Sequence, residues 1–207
     1  MRVLVFGASI TQGFWDTHGG WVQRLRSYYD EFTVQNSPNE QPTIFNLGIS
    51  GNTSTDVLNR FEAETKARWS KMERIAFIFS IGTNNAAVDV DGREWSSPEK
   101  YFQELLELIE KARRYSNKIM FVGLPPCEET KTNPVAWADI DYTNARIKLF
   151  EDIMRQVSDQ QGIPLVPVFE TILEKNKTGR ELFADGLHPN DDGHQLIFEV
   201  VQASMIP

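Results

Sequence analysis

The stretch RIAFIFSIG, residues 74–82, is apolar at nearly every position. A strand with one face in water alternates apolar and polar residues, whereas a strand covered on both faces is apolar throughout, as in parallel sheets. A second stretch of this kind, KIMFVGL, occupies residues 118–124. These stretches predict a parallel sheet with helices packed on both of its faces.

Other short apolar runs alternate with helical patterns along the chain, which is typical of an α/β fold. Strands are predicted at Arg2–Phe6, Thr43–Asn46, Arg74–Ile81, Lys118–Leu124 and Pro164–Val168. We expect a three-layer α/β/α sandwich with a five-stranded parallel sheet in the flavodoxin-like order 2-1-3-4-5. Because no repeat or Pro/Gly/Ser-rich linker divides the chain, residues 1–207 are predicted to form a single domain.

Capping residues indicate where helices begin and end. Ser97 before Pro98 predicts a helix N-terminus, and Gly162 predicts the end of another helix. The last helix is predicted to start near Asn190. His194 lies on a polar stretch of that helix, so we expect it to face solvent.

Composition narrows the class of protein. The 207 residues are 41% hydrophobic and 24% charged, with a net charge of -8, which argues against nucleic acid and anionic lipid as partners. A single cysteine excludes an internal disulfide. No apolar run approaches the roughly 18 residues of a membrane helix, and the first run is too short for a signal peptide. We therefore expect no membrane insertion and a cytoplasmic location; the oligomeric state is left open.

Three loops leave the predicted strands with polar residues: GASITQG at 7–13, NLGISGNTS at 46–54 and SIGTNN at 80–85. In doubly wound sheets, ligands bind beyond the carboxyl ends of the strands, where the strand order reverses. With the order 2-1-3-4-5 these loops are neighbours. The topology therefore gathers Ser9, Gly51 and Asn84 at one edge of the sheet.

Ser9 is a candidate nucleophile, but a serine hydroxyl needs a neighbouring base to remove its proton. His188, in DGLHPN, has Asp185 three residues before it. That spacing can hold a carboxylate against one ring nitrogen while the other faces outward, as a general base requires. His18 is the second choice and is expected to line the pocket. If His188 is the general base, turnover should fall as acid protonates the imidazole, with an apparent midpoint within a unit or two of about 6.5.

The Gly51 backbone N–H and the Asn84 side-chain amide can stabilise the oxyanion that forms when an ester carbonyl is attacked. Taken singly, Ser9 is also explained as a helix cap, and Gly51 and Asn84 as turn residues. An alternative from another class is a non-catalytic, flavodoxin-like module that holds phosphate or nucleotide over the GASITQG turn. Cys127 is a weaker candidate nucleophile, because no histidine lies at a recognisable spacing from it.

These blocks together resemble the SGNH, or GDSL-type, hydrolase family of serine esterases and lipases, named for Ser, Gly, Asn and His in four separate blocks. FGASITQG is similar to the first block, NLGISGNTS to the second, IGTNN to the third and DGLHPN to the last. The resemblance runs from about Val3 to Asn190. Two positions depart from it, since Ala8 and Asn85 stand where the family usually has Asp.

The resemblance implies ester hydrolysis through an acyl-serine intermediate, without metal or cofactor. In that scheme Ser9 attacks, His188 takes its proton and Asp185 orients the imidazole. The oxyanion is held by the Ser9 N–H, the Gly51 N–H and the Asn84 amide. A small-molecule ester is the expected partner.

Members of this family act on acetylated sugars, aryl esters, lysophospholipids and thioesters. We expect short-chain or acetyl esters, including sugar acetates, with a lysophospholipase or thioesterase as the alternative. Trp15, Trp95 and Trp137 lie on predicted loops. They are expected either to form an apolar or sugar-stacking wall or to pack the loops onto the core.

Overall fold

The computed structural model describes residues 1–35, 41–176 and 179–205. The strands in these residues are β1 (Arg2–Gly7), β2 (Thr43–Gly48), β3 (Ile75–Ser80), β4 (Val88–Asp89), β5 (Ile119–Val122), β6 (Ile140–Asp141) and β7 (Leu165–Val166). The α-helices are α1 (Ser9–Gln12), α2 (Gly20–Gln35), α3 (Ser54–Arg68), α4 (Pro98–Arg113), α5 (Glu129–Thr132), α6 (Asn144–Gln161), α7 (Phe169–Asn176) and α8 (Asp191–Ser204). The assignment of residues 1–207 to a single domain stays a prediction.

One five-stranded parallel sheet has the order β2-β1-β3-β5-β7. Counted along the chain within this sheet alone, the order is 2-1-3-4-5, as predicted. The labels differ because β4 and β6 pair with each other in a separate antiparallel ribbon, which the sequence did not predict. Each predicted strand coincides with a strand of the sheet, although β7 is only two residues long.

Side chains of β1 alternate between the two faces of the sheet. Val3 and Val5 belong to the apolar cluster on the face covered by α2 and α8, whereas Leu4 and Phe6 belong to the cluster on the face covered by α3, α4 and α6. All four side chains are almost fully buried. Burying one large apolar side chain contributes roughly 1.5–3 kcal/mol, so both faces of the strand favour a covering of helices. The sheet with helices on each face makes the three layers.

The predicted helix ends are confirmed. Ser97 Oγ accepts a hydrogen bond from the Lys100 N–H at 3.2 Å, which caps α4. Asn190 Oδ1 accepts one from the Gly193 N–H at 3.0 Å, which caps α8. Gly162 ends α6 in the left-handed conformation, with φ of 62°.

The prediction that His194 faces solvent is wrong, since its side chain is fully buried between α8 and α2. Its Nε2 donates to the Phe14 carbonyl at 3.0 Å, and its Nδ1 accepts from the Trp21 N–H at 3.3 Å. Burial lowers the pKa of this imidazole, so the neutral form is favoured. Backbone partners thus allow a polar side chain to occupy an apolar helix interface, which a helical hydropathy pattern does not reveal.

Strand register places the candidate loops side by side. Gly7 at the end of β1 aligns with Gly48 at the end of β2 and with Ser80 at the end of β3. The chain segments that follow carry Ser9 and Asn84 within a few residues of these ends. Their neighbourhood is therefore fixed by the sheet rather than by the loops alone.

Candidate active site

Three predicted residues form one continuous hydrogen-bonded array. The His188 Nε2 lies 3.0 Å from the Ser9 Oγ, and the His188 Nδ1 lies 2.7 Å from the Asp185 Oδ2. With the proton on Nδ1, the imidazole donates to the carboxylate and accepts from the hydroxyl. Ser9 and His188 are both largely buried. This is the arrangement in which a histidine can remove the serine proton.

The Asp185 carboxylate is held by several donors at once. Its Oδ1 accepts from the backbone N–H of Leu187 at 3.0 Å and of His188 at 2.8 Å. Its Oδ2 accepts from the Trp15 indole N–H at 3.1 Å as well as from the His188 ring. Burial opposes ionisation, but the hydrogen bonds from His188 and Leu187 and the imidazole charge hold the pKa of Asp185 well below its usual range.

The candidate oxyanion donors face the same cavity as Ser9. Gly51 lines it with a positive φ of 79°, a backbone conformation that L side chains rarely adopt. Asn84 lies at the start of the 3₁₀ turn Asn84–Ala86, and its Nδ2 donates to the Asn52 carbonyl at 2.9 Å. That bond uses one of the two N–H groups of the amide, which leaves the other for an oxyanion.

Sequence reasoning missed two residues that hold these donors. The Tyr142 hydroxyl donates to the Asn84 Oδ1 at 3.1 Å and so fixes the rotation of the amide. The Arg60 guanidinium donates to the Asn52 Oδ1 at 2.8 Å and to the Leu47 carbonyl at 2.7 Å. Neither residue belongs to a motif block, and only their closeness to Asn84 and Gly51 in the folded structure indicates a role.

The departure at Asn85 has a local explanation. Its Oδ1 accepts from the Ser54 N–H at 3.0 Å, and its Nδ2 donates to the Ser54 Oγ at 2.6 Å. The Ser54 hydroxyl in turn donates to Glu104 Oε2 at 2.5 Å. An amide at position 85 can serve both as donor and as acceptor, whereas a carboxylate there would place a second anion close to Glu104. At the other departure, Ala8 is buried beside Ser9 and makes no side-chain hydrogen bond.

A cavity of about 330 Å³ opens above Ser9. Trp15, Trp95 and Trp137 all line it, as do Phe14 and Tyr142. Trp15 and Trp137 are more than half exposed, whereas Trp95 packs partly into the core and donates its indole N–H to the Asp89 Oδ1 at 2.6 Å. Trp15 and Trp137 therefore form an exposed wall of the cavity. Trp95 both lines the cavity and packs its loop onto the core.

His18 does not reach this cavity, so the prediction that it lines the pocket is corrected. Its Nδ1 lies 3.1 Å from the Thr17 Oγ1 and 3.2 Å from the Arg24 Nη2. The ring is exposed on the outer side of the loop. The backbone at Trp15 is left-handed, with φ of 64°, and the next part of the loop contacts α8, where the Thr17 N–H donates to the Asp191 Oδ1 at 2.8 Å.

One group of residues brings potential metal ligands together among the residues that the structure describes. Ligand atoms of Asp16, His18 and Asp191 lie within 4.8 Å of one another. However, the Asp16 carboxylate already accepts from Arg24 Nε at 2.8 Å and from Arg24 Nη2 at 2.9 Å. The guanidinium supplies the positive charge that a cation would bring, and these residues lie outside the cavity lining.

Cys127 is placed unfavourably for a nucleophile. Its side chain is buried, and its Sγ lies 3.5 Å from the Tyr142 carbonyl. Burial raises the pKa of the thiol to about 11, which disfavours the reactive thiolate. The structure thus brings Ser9, rather than Cys127, next to a histidine.

Comparison with known proteins agrees with this fold. A lipase/acylhydrolase from Enterococcus faecalis superposes with a TM-score of 0.77 at 19% identity, covering 98% of this chain and 94% of that chain. An acetylxylan esterase from Geobacillus stearothermophilus superposes with a TM-score of 0.73 at 18% identity, covering 98% and 92%. At these identities the likeness shows that the three proteins share a fold.

Fold and site together define the class as an ester-hydrolysing α/β enzyme. Residues 5–196 match the model of the GDSL-like Lipase/Acylhydrolase family, and the chain belongs to that family. A relative in Bacillus subtilis (strain 168), named as the uncharacterized lipoprotein YqeF, is 25% identical over 99% of this chain and 89% of its own length. In the described ranges no helix has the length and apolar character to cross a membrane. The cytoplasmic location stays a prediction.

Proposed function

We propose that this enzyme hydrolyses short-chain or acetyl esters, including sugar acetates, through an acyl-serine intermediate. The observation that carries the proposal is the array from Asp185 through His188 to Ser9, with hydrogen bonds of 2.7 and 3.0 Å, ending at the floor of an aromatic cavity. A hydroxyl hydrogen-bonded to an oriented imidazole is the arrangement for acyl transfer.

In the first step the Ser9 Oγ attacks the ester carbonyl while its proton moves to the His188 Nε2. Negative charge develops on the carbonyl oxygen, where the N–H groups of Ser9, Gly51 and Asn84 can donate. The intermediate collapses as the C–O bond to the alcohol breaks, and the imidazolium returns its proton to the leaving alkoxide. Water then attacks the acyl-serine with His188 as base, releasing the carboxylic acid and restoring Ser9.

Cavity size and lining support a small acyl or sugar-borne substrate. Ligand cavities in proteins run from about 300 to 1,000 Å³, so one of about 330 Å³ is at the small end. The exposed indoles of Trp15 and Trp137 offer flat apolar faces of the kind on which sugar rings stack. The acetylxylan esterase among the structural neighbours gives the same substrate class a precedent on this fold.

The cavity also carries little charge. Its lining contains Asp185 and His188 but neither Lys nor Arg among the residues that the structure describes. Together with the net charge of -8, this favours uncharged small-molecule esters over nucleic acid or other polyanions. The scheme uses no metal, so EDTA is expected to leave turnover intact.

Replacement of Ser9 by alanine tests the proposal. Ser9→Ala should lower kcat on an acetyl ester by about 10³-fold or more, because it removes the attacking atom. A fluorophosphonate probe followed by mass spectrometry should locate the adduct on Ser9 in the wild-type protein. Ser27→Ala, on the outer face of α2, is the matched control and should keep full activity.

A panel of acetyl, octanoyl and palmitoyl esters tests the substrate class. The small cavity predicts the highest kcat/KM for acetyl. A preference for palmitoyl would overturn the acetyl-ester proposal in favour of a lysophospholipase or thioesterase. If the wild-type protein hydrolysed no ester and Ser9→Ala still bound phosphate or nucleotide, a non-catalytic binding module would be favoured instead.

A further inference from the structure

Trp15 makes a contact with the array that its position in the sequence does not suggest. Its indole N–H donates to the Asp185 Oδ2 at 3.1 Å, and the same oxygen accepts from the His188 Nδ1 at 2.7 Å. The Trp15 side chain is not placed there by burial, since the residue is 60% exposed. The indole is held by this hydrogen bond and by an edge contact with the neighbouring Phe14 ring, with centroids 5.8 Å apart, rather than by burial in the core.

The backbone at Trp15 adopts a left-handed conformation. Its φ of 64° is the single positive value among the non-glycine residues that the structure describes. A bulky side chain rarely adopts this conformation, and such strain persists only where the surroundings impose it. Strained residues of this kind cluster at functional sites.

Several contacts hold the loop of residues 13–20 that carries Trp15. The Phe14 carbonyl accepts from the buried His194 of α8, and the Thr17 N–H donates to the Asp191 Oδ1 at 2.8 Å. The backbone at the two ends of the loop is in such close contact that a Cβ on Gly20 would lie 2.3 Å from the Gly13 Cα, so only glycine fits there. The loop is therefore fixed to α8 on one side and closed on itself at its base.

We propose that Trp15 is a positioning residue whose indole N–H weakens the hold of Asp185 on protonated His188 and thereby extends activity to lower pH. The inference rests on the proposed function, in which His188 is the general base. In this role the indole N–H acts through the carboxylate, while the face of the same indole remains part of the cavity wall.

The physical reason is competition for one oxygen. A carboxylate oxygen that already accepts a hydrogen bond carries less free negative charge, so it stabilises a neighbouring imidazolium less. With the Trp15 donor present, His188 stays neutral, and able to accept the Ser9 proton, at more acidic pH. Without the donor, Asp185 pairs more strongly with the protonated ring, and the active form is lost at higher pH.

Other titratable groups face the array and stay unchanged in the test. His194 of α8 lies behind the loop, Lys131 of α5 lies on the side of Asp185, and Tyr142 lines the cavity. Because none of them is altered when Trp15 is replaced, a change in pH dependence reports on the indole.

The experiment compares two replacements of Trp15 with the wild-type protein. Trp15→Phe removes the N–H and replaces the bicyclic indole by a smaller phenyl ring. Site-specific incorporation of benzothienylalanine keeps the bicyclic shape and replaces only the N–H, by sulfur. The acid limb of kcat/KM on an acetyl ester should move up by about half to one pH unit in both. At pH values below both midpoints this shift should lower kcat/KM about 3- to 10-fold, whereas well above them kcat/KM should change little. KM should stay close to the wild-type value in the benzothienylalanine variant, which keeps the flat aromatic face. Nitrogen NMR of the His188 ring, titrated without substrate, should show the same upward shift.

Two tryptophan controls separate this role from that of a wall. Trp137→Phe alters the other exposed indole of the cavity, which contacts the His188 ring with centroids 6.3 Å apart, and should change KM without moving the acid limb. Trp69→Phe, at the opposite end of the sheet, should behave as wild type.

A benzothienylalanine variant that keeps the wild-type acid limb and NMR midpoint would overturn the proposal, whatever happens to its KM. This variant decides the matter even if Trp15→Phe folds poorly, because it preserves the packing. Failure of the proposed function gives a different result. The wild-type protein would then show no ester turnover and no adduct on Ser9, while the NMR comparison would still report whether the indole acts on the imidazole.

Discussion

Asn84 is the candidate oxyanion donor whose orientation depends most on its neighbours. Its Nδ2 donates to the Asn52 carbonyl, and its Oδ1 accepts from the Tyr142 hydroxyl, so both ends of the amide are fixed. Burial raises the pKa of the Tyr142 phenol, which therefore remains a neutral donor across the working pH range. A fixed amide requires no reorganisation when charge appears on the substrate oxygen.

Tyr142→Phe should therefore lower kcat by about 5- to 20-fold on an acetyl ester with KM changed less than about 2-fold, since the Asn84 amide gains freedom to rotate. The loss is smaller than the 10²- to 10³-fold cost of deleting an oxyanion donor outright. Steady-state kinetics at saturating ester measures it.

Tyr101→Phe is the matched control, because the Tyr101 hydroxyl is equally buried and donates to the Ile81 carbonyl at 2.7 Å. Both variants lose one buried phenol hydrogen bond, so their unfolding free energies should fall alike. Equal losses of kcat in the two variants would show that Tyr142 acts only through stability.

The residues that the sequence could predict at the site are those that carry a local signal. Asp185 and His188 lie three positions apart beside a proline, so their contact follows from spacing. The hydrogen bond between Trp15 and Asp185 joins residues 170 positions apart and has no such signal. His18 shows the converse: it lies close to Ser9 along the chain but outside the cavity, because closeness in sequence does not reveal the turn at Trp15.

Arg60 shows how one helix holds several strand ends. From α3 its Nη2 donates to the carbonyl of Gly7 at 3.1 Å and of Leu47 at 2.7 Å, and its Nε donates to the Asn52 Oδ1. These partners lie at the end of β1, at the end of β2 and in the loop after Gly51. Burial lowers the pKa of Arg60, but the guanidinium remains charged at any working pH. The side chain thus ties together the two segments that carry Ser9 and Gly51.

Arg60→Met should lower the free energy of unfolding by about 2–3 kcal/mol, since it leaves buried carbonyl groups without donors. Because the same change loosens the segments that carry Ser9 and Gly51, kcat should fall at least about 10-fold at temperatures where the variant is folded. Urea unfolding and steady-state kinetics measure the two effects.

The control for this variant is Arg113→Met, which removes bonds from α4 to Gln161 far from the cavity. Arg113 lies on the surface, so its loss should cost less than about 1 kcal/mol and leave kcat unchanged. If Arg60→Met lost stability but kept kcat, Arg60 would support the fold without supporting the site.

Among the elements, the buried strands could be predicted because their apolar pattern is continuous and local. The β4–β6 ribbon could not, since two residues on each side carry no periodicity. That ribbon matters for the site. It joins the two long loops of residues 86–97 and 125–140, which carry Trp95 and Trp137, and so sets one side of the cavity.

At the scale of the whole molecule, Glu151 is a carboxylate that folding buries between α6 and the sheet. Its Oε2 accepts from the Leu124 N–H at 2.7 Å, while the Arg155 Nη2 lies 3.4 Å from its Oε1. Burial raises its pKa from 4.5 to about 7, more than these contacts lower it. The ordinary value returns when the chain unfolds, so this group links global stability to pH.

Because the pKa is raised in the folded state, Glu151 contributes stability that is fully present below pH 4.5 and is lost as pH rises through about 7. The loss amounts to at most about 3 kcal/mol. A glutamine at this position stays neutral, and its Oε1 can still accept from Leu124. Glu151→Gln should therefore gain stability relative to the wild type between pH 5 and pH 8, by roughly 1–3 kcal/mol.

Urea unfolding of both proteins at pH 5, 6, 7 and 8 measures this gain. Glu110→Gln, an exposed carboxylate on α4, is the control and should show a pH-independent difference. The comparison cancels the acid-side contributions of Asp16, Asp185 and His194, whose pKa values are all lowered in the fold and which are present in both proteins. A difference between Glu151→Gln and the wild type that stays constant from pH 5 to pH 8 would mean that Glu151 is ionised in the folded protein throughout, with Arg155 compensating for its burial.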